Sequence, residues 1–303
     1  MASKVMSLSE AVSRFISDGM SLVMGTALEA LIPFGVGYEI IRQGKKDLNL
    51  IGPISDILFD IMVGAGVARK LTVAWSGNVA AGSGYGLRRA VEEGIPRPVE
   101  MEDHSNFTIA LGLHAAALGV PFLPTKTALG SDLPRTNPGL IPFPCPFTGE
   151  RLMAVRAIRP DLAIVHVQRS DEEGNAHLWG CTGVTEDAVM ASEGVIVTSE
   201  EVVPSNIIRS DPNRTLVLGL NVVAVVHLPW GSHPSPTQGY RNRDHKFYLD
   251  YHEETRTYEG FQRWLKKWVL DVRGHEGYLK LLGEERLSTL TLREPALAFP
   301  IPY

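Results

Sequence analysis

The chain has 303 residues, 44% of them apolar and 21% charged, enough for a substantial buried core. A formal charge of -5 argues against a nucleic-acid partner, and two cysteines, Cys145 and Cys181, are too few for a disulfide framework, so a reducing, cytoplasmic setting is expected. The first ten residues hold no apolar signal core, and runs such as Val222–Val226 fall far short of the ~20 residues of a membrane span, so none is expected.

Ser7 stands three residues before Glu10 and just ahead of Ala11, Val12, Phe15 and Ile16, a capping-box start to an amphipathic helix that Asp18-Gly19 ends. Ser21–Met24 is a short buried strand stopping at Gly25-Thr26. A helix follows over about 37–43, closed by Gly44. Leu48–Ile51 and Leu71–Trp75 are further strands, and Gly64 and Gly66 turn the chain between a helix and the second of these. A helix is expected over about 107–118.

Residues 121–150 are rich in proline with little periodicity, and a loop that long is unusual unless it binds something or lines an interface. Strands follow at 162–167, 194–198 and 221–227. From about 251 to 287 the chain is helical, with Phe261, Trp264, Leu265, Trp268 and Val269 at the spacing of a packing stripe. No internal repeat is present, and the chain is expected to form one domain over 1–303.

Short apolar runs alternating with helices predict an α/β fold with an open, mostly parallel, doubly wound sheet. Such sheets bind ligands at the carboxyl ends of their strands, so chemistry is sought after Met24, Ile51, Trp75 and Val167. The histidines show no metal-binding spacing. Gly82-Ser83-Gly84-Tyr85-Gly86 lacks the frame of a nucleophile elbow and fits a flexible loop before a helix near Leu87. Gly35-Val36-Gly37 and Gly64-Ala65-Gly66 have no third glycine in register for a dinucleotide. The run Glu100–Asn106 concentrates carboxylates, an imidazole, a hydroxyl and an amide before a helix. It is either an acidic cap region or a set of donors aimed at a substrate carbonyl.

Several stretches, in a shared order and spacing, resemble the α subunits of family I CoA-transferases of the glutaconate type. They are Met1–Gly19, Met101–Pro124, Asp161–Gly180, Arg209–Asn213 and Pro229–Ser235, and the likeness extends to about Leu287. The resemblance implies a heteromeric enzyme in which two related subunits meet at the active site, two of each being the family expectation. It also implies that CoA moves between an acyl-CoA and a carboxylic acid, with the thioester as substrate and no permanently bound cofactor. The catalytic glutamate of such enzymes belongs to the β-type subunit, and this chain has no convincing equivalent: Ser192-Glu193-Gly194 falls at an ordinary helix-to-strand junction. Carried over position by position, the likeness assigns substrate binding to Gly25, Thr26, Ser76, Asn78, His104, Ser105, Asn106, Gly130 and Ser131. Leu31-Ile32 and Pro53–Asp56 depart from the family pattern, which puts glutaconate in doubt and suggests a larger or more apolar acyl group.

Two rivals accompany this expectation. One is a subunit of a steroid-ring-opening hydrolase acting on cyclic enone CoA thioesters; the glutamate that such enzymes carry on the corresponding chain would align near Asn106, and an amide cannot act as a carboxylate base. The other is a CoA-ester-binding regulatory subunit without catalysis.

Overall fold

The computed structural model describes residues 3–292. The strands are β1 (Ser21–Val23), β2 (Leu48–Ile54), β3 (Ala68–Trp75), β4 (Glu100–Asp103), β5 (Phe122–Thr125), β6 (Leu140–Pro144), β7 (Arg151–Arg156), β8 (Leu162–Ser170), β9 (Ala176–His177), β10 (Gly194–Val202), β11 (Thr215–Val217) and β12 (Val222–His227). The helices are α1 (Leu8–Phe15), α2 (Phe34–Arg42), α3 (Asp56–Gly64), α4 (Tyr85–Glu92), α5 (Asn106–Ala117), α6 (Leu133–Thr136), α7 (Thr185–Ala191), α8 (Ser205–Arg209), α9 (His245–Glu254), α10 (Tyr258–Leu265), α11 (Gly274–Leu282) and α12 (Glu284–Leu290).

Seven strands lie parallel in the spatial order β12-β10-β8-β1-β2-β3-β4, and β9 and β11 extend the sheet antiparallel beyond β8. Successive side chains point to opposite faces, and both faces are buried. Leu162 and Ile164 join the core that α1, α2, α3, α9 and α10 cover, while Ala163, Val165 and Val167 join the one under α5 and α7. That is the doubly wound α/β architecture expected.

The chain builds β1 to β4 in one direction and later returns to place β8 on the other side of β1. The connections after β1 and β8 therefore part company at β1, the kind of switch point where open sheets leave a crevice. Helices α9, α10 and α11 bury an aromatic cluster against the first face, with Tyr251 and Trp264 edge to face at 4.8 Å.

Two expectations need correction. The carboxylates of 100–103 are not part of a helix cap: they form β4, the outer strand of the parallel series, where Glu100 and Glu102 pair with Lys70 at 3.0 and 2.6 Å. Nor is the proline-rich segment a loop, since β5, β7 and β6 form an antiparallel sheet. Its strands escape a sequence reading because proline occupies alternate positions of β6 (Pro142, Pro144) and one of β5 (Pro124), replacing the apolar alternation. Proline is tolerated there because both strands are edges. One face of this sheet, through Leu140, Met153 and Val155, packs on Leu111, Leu129 and Leu133.

Trp264→Ala should test the docking of the last helices. Emptying that buried site is expected to cost about 3–5 kcal/mol, read as a lower urea midpoint with an unchanged slope.

Candidate active site

Backbone strain marks the functional edge. Among the described residues, six non-glycine positions have positive φ, and Leu28, Leu31, Asp56 and Trp230 of these lie in the connections after β1, β2 and β12. Each costs of order 1 kcal/mol or more and persists only where neighbours hold it. All three connections leave the carboxyl ends of parallel strands.

The connection after β1 starts at Gly25, with φ +66; a Cβ there would come within 2.5 Å of Ser55 Oγ. Thr26 is buried, its hydroxyl 2.8 Å from that of Thr185, and its carbonyl accepts the Val184 N–H. The loop then rests on the connection after β12. Leu31 N–H donates to Pro236 O at 3.0 Å, Gly35 N–H to Gly231 O at 2.8 Å, and Ser235 Oγ to Glu29 O at 2.9 Å. Leu31 and Ile32, expected to face an acyl group, are 3% and 0% exposed and belong to the two cores. They pack in the cores, so their burial gives no sign of a surface for the acyl group.

Asp56, fully buried at the start of α3, ties the loops together. Its Oδ1 accepts the Val79 N–H at 3.0 Å, and its Oδ2 accepts from Arg243 Nη2 at 2.8 Å. Arg243 also reaches Glu29 at 3.2 Å and stacks 4.1 Å over the Tyr248 ring. Burial pushes the Asp56 carboxyl above its ordinary pKa despite the Val79 amide and the guanidinium. One arginine thus joins the connections after β1, β2 and β12, and Asp56 adds the one after β3.

The remaining expected residues fall into different roles. Ser76 follows β3 directly and lines a cleft of about 530 Å³ with Trp75, Ser83 and Leu87. Its hydroxyl is shielded from solvent and has no hydrogen-bond partner. Asn78 is buried instead, donating to Tyr248 O at 2.7 Å and accepting the Ala80 N–H at 3.0 Å. His104 is enclosed by Thr108, Glu102 and Asn137 at 3.1, 3.3 and 3.0 Å. Ser105 caps α5 through the Thr108 N–H, whereas Asn106 is exposed on the first turn. Gly130 and Ser131 lie on the small sheet's side, lining a separate cleft with Asp132 and Arg135. The structure therefore groups Gly25, Thr26 and Ser76 at one edge and gives Asn78, His104 and Ser105 internal partners. Glu193, just before β10, lies at the opposite edge.

Sequence reasoning missed Asp56, Arg243 and Thr185. Only Asp56 carried a signal, as an acidic residue directly after a strand.

A family model described as Coenzyme A transferase matches residues 5–228. The chain belongs to the coenzyme A transferase family. It is 41% identical to the A subunit of 3-oxoadipate CoA-transferase from Pseudomonas knackmussii, over 93% of this chain and 99% of that protein. The crystal structure of glutaconate coenzyme A-transferase from Acidaminococcus fermentans superposes with a TM-score of 0.91 at 31% identity, covering 99% of both chains. A cholesterol ring-cleaving hydrolase subunit of Rhodococcus jostii is 28% identical over 93% of this chain and 98% of its own length.

Two outcomes follow for this CoA-transferase family member. Arg243→Ala leaves the Asp56 carboxylate buried without its cation and should cost about 3–5 kcal/mol by chemical denaturation, with Arg243→Lys recovering part of the loss. Glu102 behaves in the opposite electrostatic sense. The hydrogen bond to His104, then Lys70, outweighs burial and lowers its pKa from 4.5 to about 2. Its stabilisation is present above about pH 4.5 and is lost as pH falls toward 2, so Glu102→Gln should be less stable than wild type near neutrality and equal to it at about pH 2.

Proposed function

We propose that this chain is the α-type subunit of a heteromeric CoA-transferase, moving CoA between an acyl-CoA and a carboxylic acid in the cytoplasm. A β-type partner subunit supplies the reacting glutamate, two copies of each chain forming the enzyme. One observation carries this reading: among the described residues, the carboxylates set into the functional edge each hold a cation, a hydroxyl or a backbone amide, and only Glu200 keeps an oxygen without a hydrogen bond, shut away from solvent. Asp56 holds Arg243 and the Val79 amide; Asp60 holds the Tyr251 hydroxyl and the Leu87 amide; Glu102 holds Lys70; Glu200 holds His166 and the Trp230 amide. A carboxylate already tied to cations and N–H groups is a poor nucleophile.

In this reading a partner glutamate oxygen attacks the acyl carbonyl, and CoA leaves as thiolate. The thiolate attacks the glutamyl carbonyl of the resulting anhydride, releasing the first acid and leaving a glutamyl-CoA thioester. The acceptor carboxylate reverses both steps. Splitting one exchange this way lowers each barrier. The present chain contributes orientation and donors for the developing oxyanions; the positions of the Gly25–Thr26 turn and Ser76 just past the carboxyl ends of β1 and β3 support that role. CoA enters as a substrate thioester, and no permanently bound cofactor is needed.

The family likeness to a ring-cleaving hydrolase raises a second reading, which Asn106 opposes. An amide at that exposed position cannot take a proton as a carboxylate would.

Treating the assembled enzyme with acyl-CoA and weighing both subunits discriminates. The partner subunit should gain the mass of CoA less water, and this chain none; an adduct on this chain, or full transfer by the chain alone, would overturn the proposal. Ser76→Ala should lower kcat/KM by about tenfold or more with the subunits still associated.

A further inference from the structure

The cleft beside Ser76 has a composition that speaks to the substrate. Trp75, a large ring at the end of β3, keeps 38% of its surface exposed, and Val91 on α4 keeps 52%. Both border the same space, with Leu87 between them along the lining. The indole is backed by Gly77, where a Cβ would lie 3.0 Å from a ring carbon. The charged lining residues are one of each sign and paired: Arg88 Nε donates to both oxygens of Glu92 at 3.0 and 2.9 Å. The cleft thus offers an apolar wall, one solvent-shielded hydroxyl without a partner and no unpaired cation.

We propose that this cleft receives the far end of the transferred acyl group, and that the wall of Trp75, Leu87 and Val91 selects acids with an uncharged tail over dicarboxylic acids. This rests on the transferase reading above and extends it to a substrate class. A terminal carboxylate would have to shed water against the indole, and the single cation of the lining, Arg88, already shares its charge with Glu92. An uncharged tail of the same length loses no such hydration and gains the apolar contact. Turned out into the cleft, the Ser76 hydroxyl, which gives up no hydrogen bond in doing so, would suit an oxo group, which accepts a hydrogen bond without carrying charge.

Acceptors of matched length test it with the assembled two-subunit enzyme: hexanoate against adipate, and their 3-oxo forms. The uncharged-tail acid of each pair should have a kcat/KM higher by about tenfold or more. Trp75→Ala should lower kcat/KM for hexanoate about ten- to thirtyfold, mainly through KM, and change that for adipate less than about threefold. Val91→Lys, at a half-exposed site that tolerates substitution, should raise adipate relative to hexanoate by about tenfold. A wild-type preference for the dicarboxylic acids, or a ratio that neither variant moves, overturns the proposal. So does a Trp75→Ala effect confined to looser binding between the two chains, which would mean that the partner fills the cleft. Failure to transfer CoA to any acid is a different result, and it overturns the transferase reading itself.

Discussion

The functional edge depends on one ion pair, between the buried Asp56 and the half-buried Arg243. Asp56 and Arg243 are 187 residues apart in sequence and meet at 2.8 Å, fixing the connections that leave four parallel strands. Loops at the end of a sheet are ordinarily its most mobile parts, because few of their backbone groups have partners. Here a single guanidinium supplies hydrogen bonds to two carboxylates and stacks on an aromatic ring, and its carboxylate partner Asp56 holds the amide of a fourth loop. The raised Asp56 pKa reports the desolvation cost of the arrangement. Such a pair is weak evidence for stability and stronger evidence that a particular geometry is being maintained.

A second layer works beneath it. Glu200 accepts the N–H of Trp230, a residue held at positive φ, and its carboxylate lies 3.2 Å from His166. Burial raises the Glu200 pKa, but the His166 hydrogen bond and the nearby charges of His166 and Arg241 more than offset it, so the group stays ionised. The connection after β12 is thereby anchored, and its carbonyls at Gly231 and Pro236 hold the strained turn after β1. Strain at Leu28 and Leu31 is sustained by contacts that originate two strands away.

Much of the fold was legible in the sequence because parallel strands covered on both faces leave continuous apolar runs, as at 162–167 and 194–198. The site was less so. Gly25 and Ser76 follow from their positions after strands, yet nothing local in Arg-Asn-Arg-Asp at 241–244 marks Arg243 as the partner of Asp56. Likewise His104 looks like a donor for substrate because its neighbours in sequence are polar; the side chain that turns it inward, Asn137, comes from the end of α6, over thirty residues on. Leu31 and Ile32 show the converse error: a departure from a family pattern suggests ligand chemistry, whereas the left-handed backbone at Leu31 points both residues into the cores.

The small sheet's prolines bear on the life of the polypeptide before it meets another chain. Edge strands with a free row of N–H groups invite their own kind to add on, strand after strand. Pro124, Pro142 and Pro144 remove donors from both rims of that sheet, while Glu100 and Asp103 put charge along β4. Both devices weaken the template that a newly made copy would offer to other copies of itself.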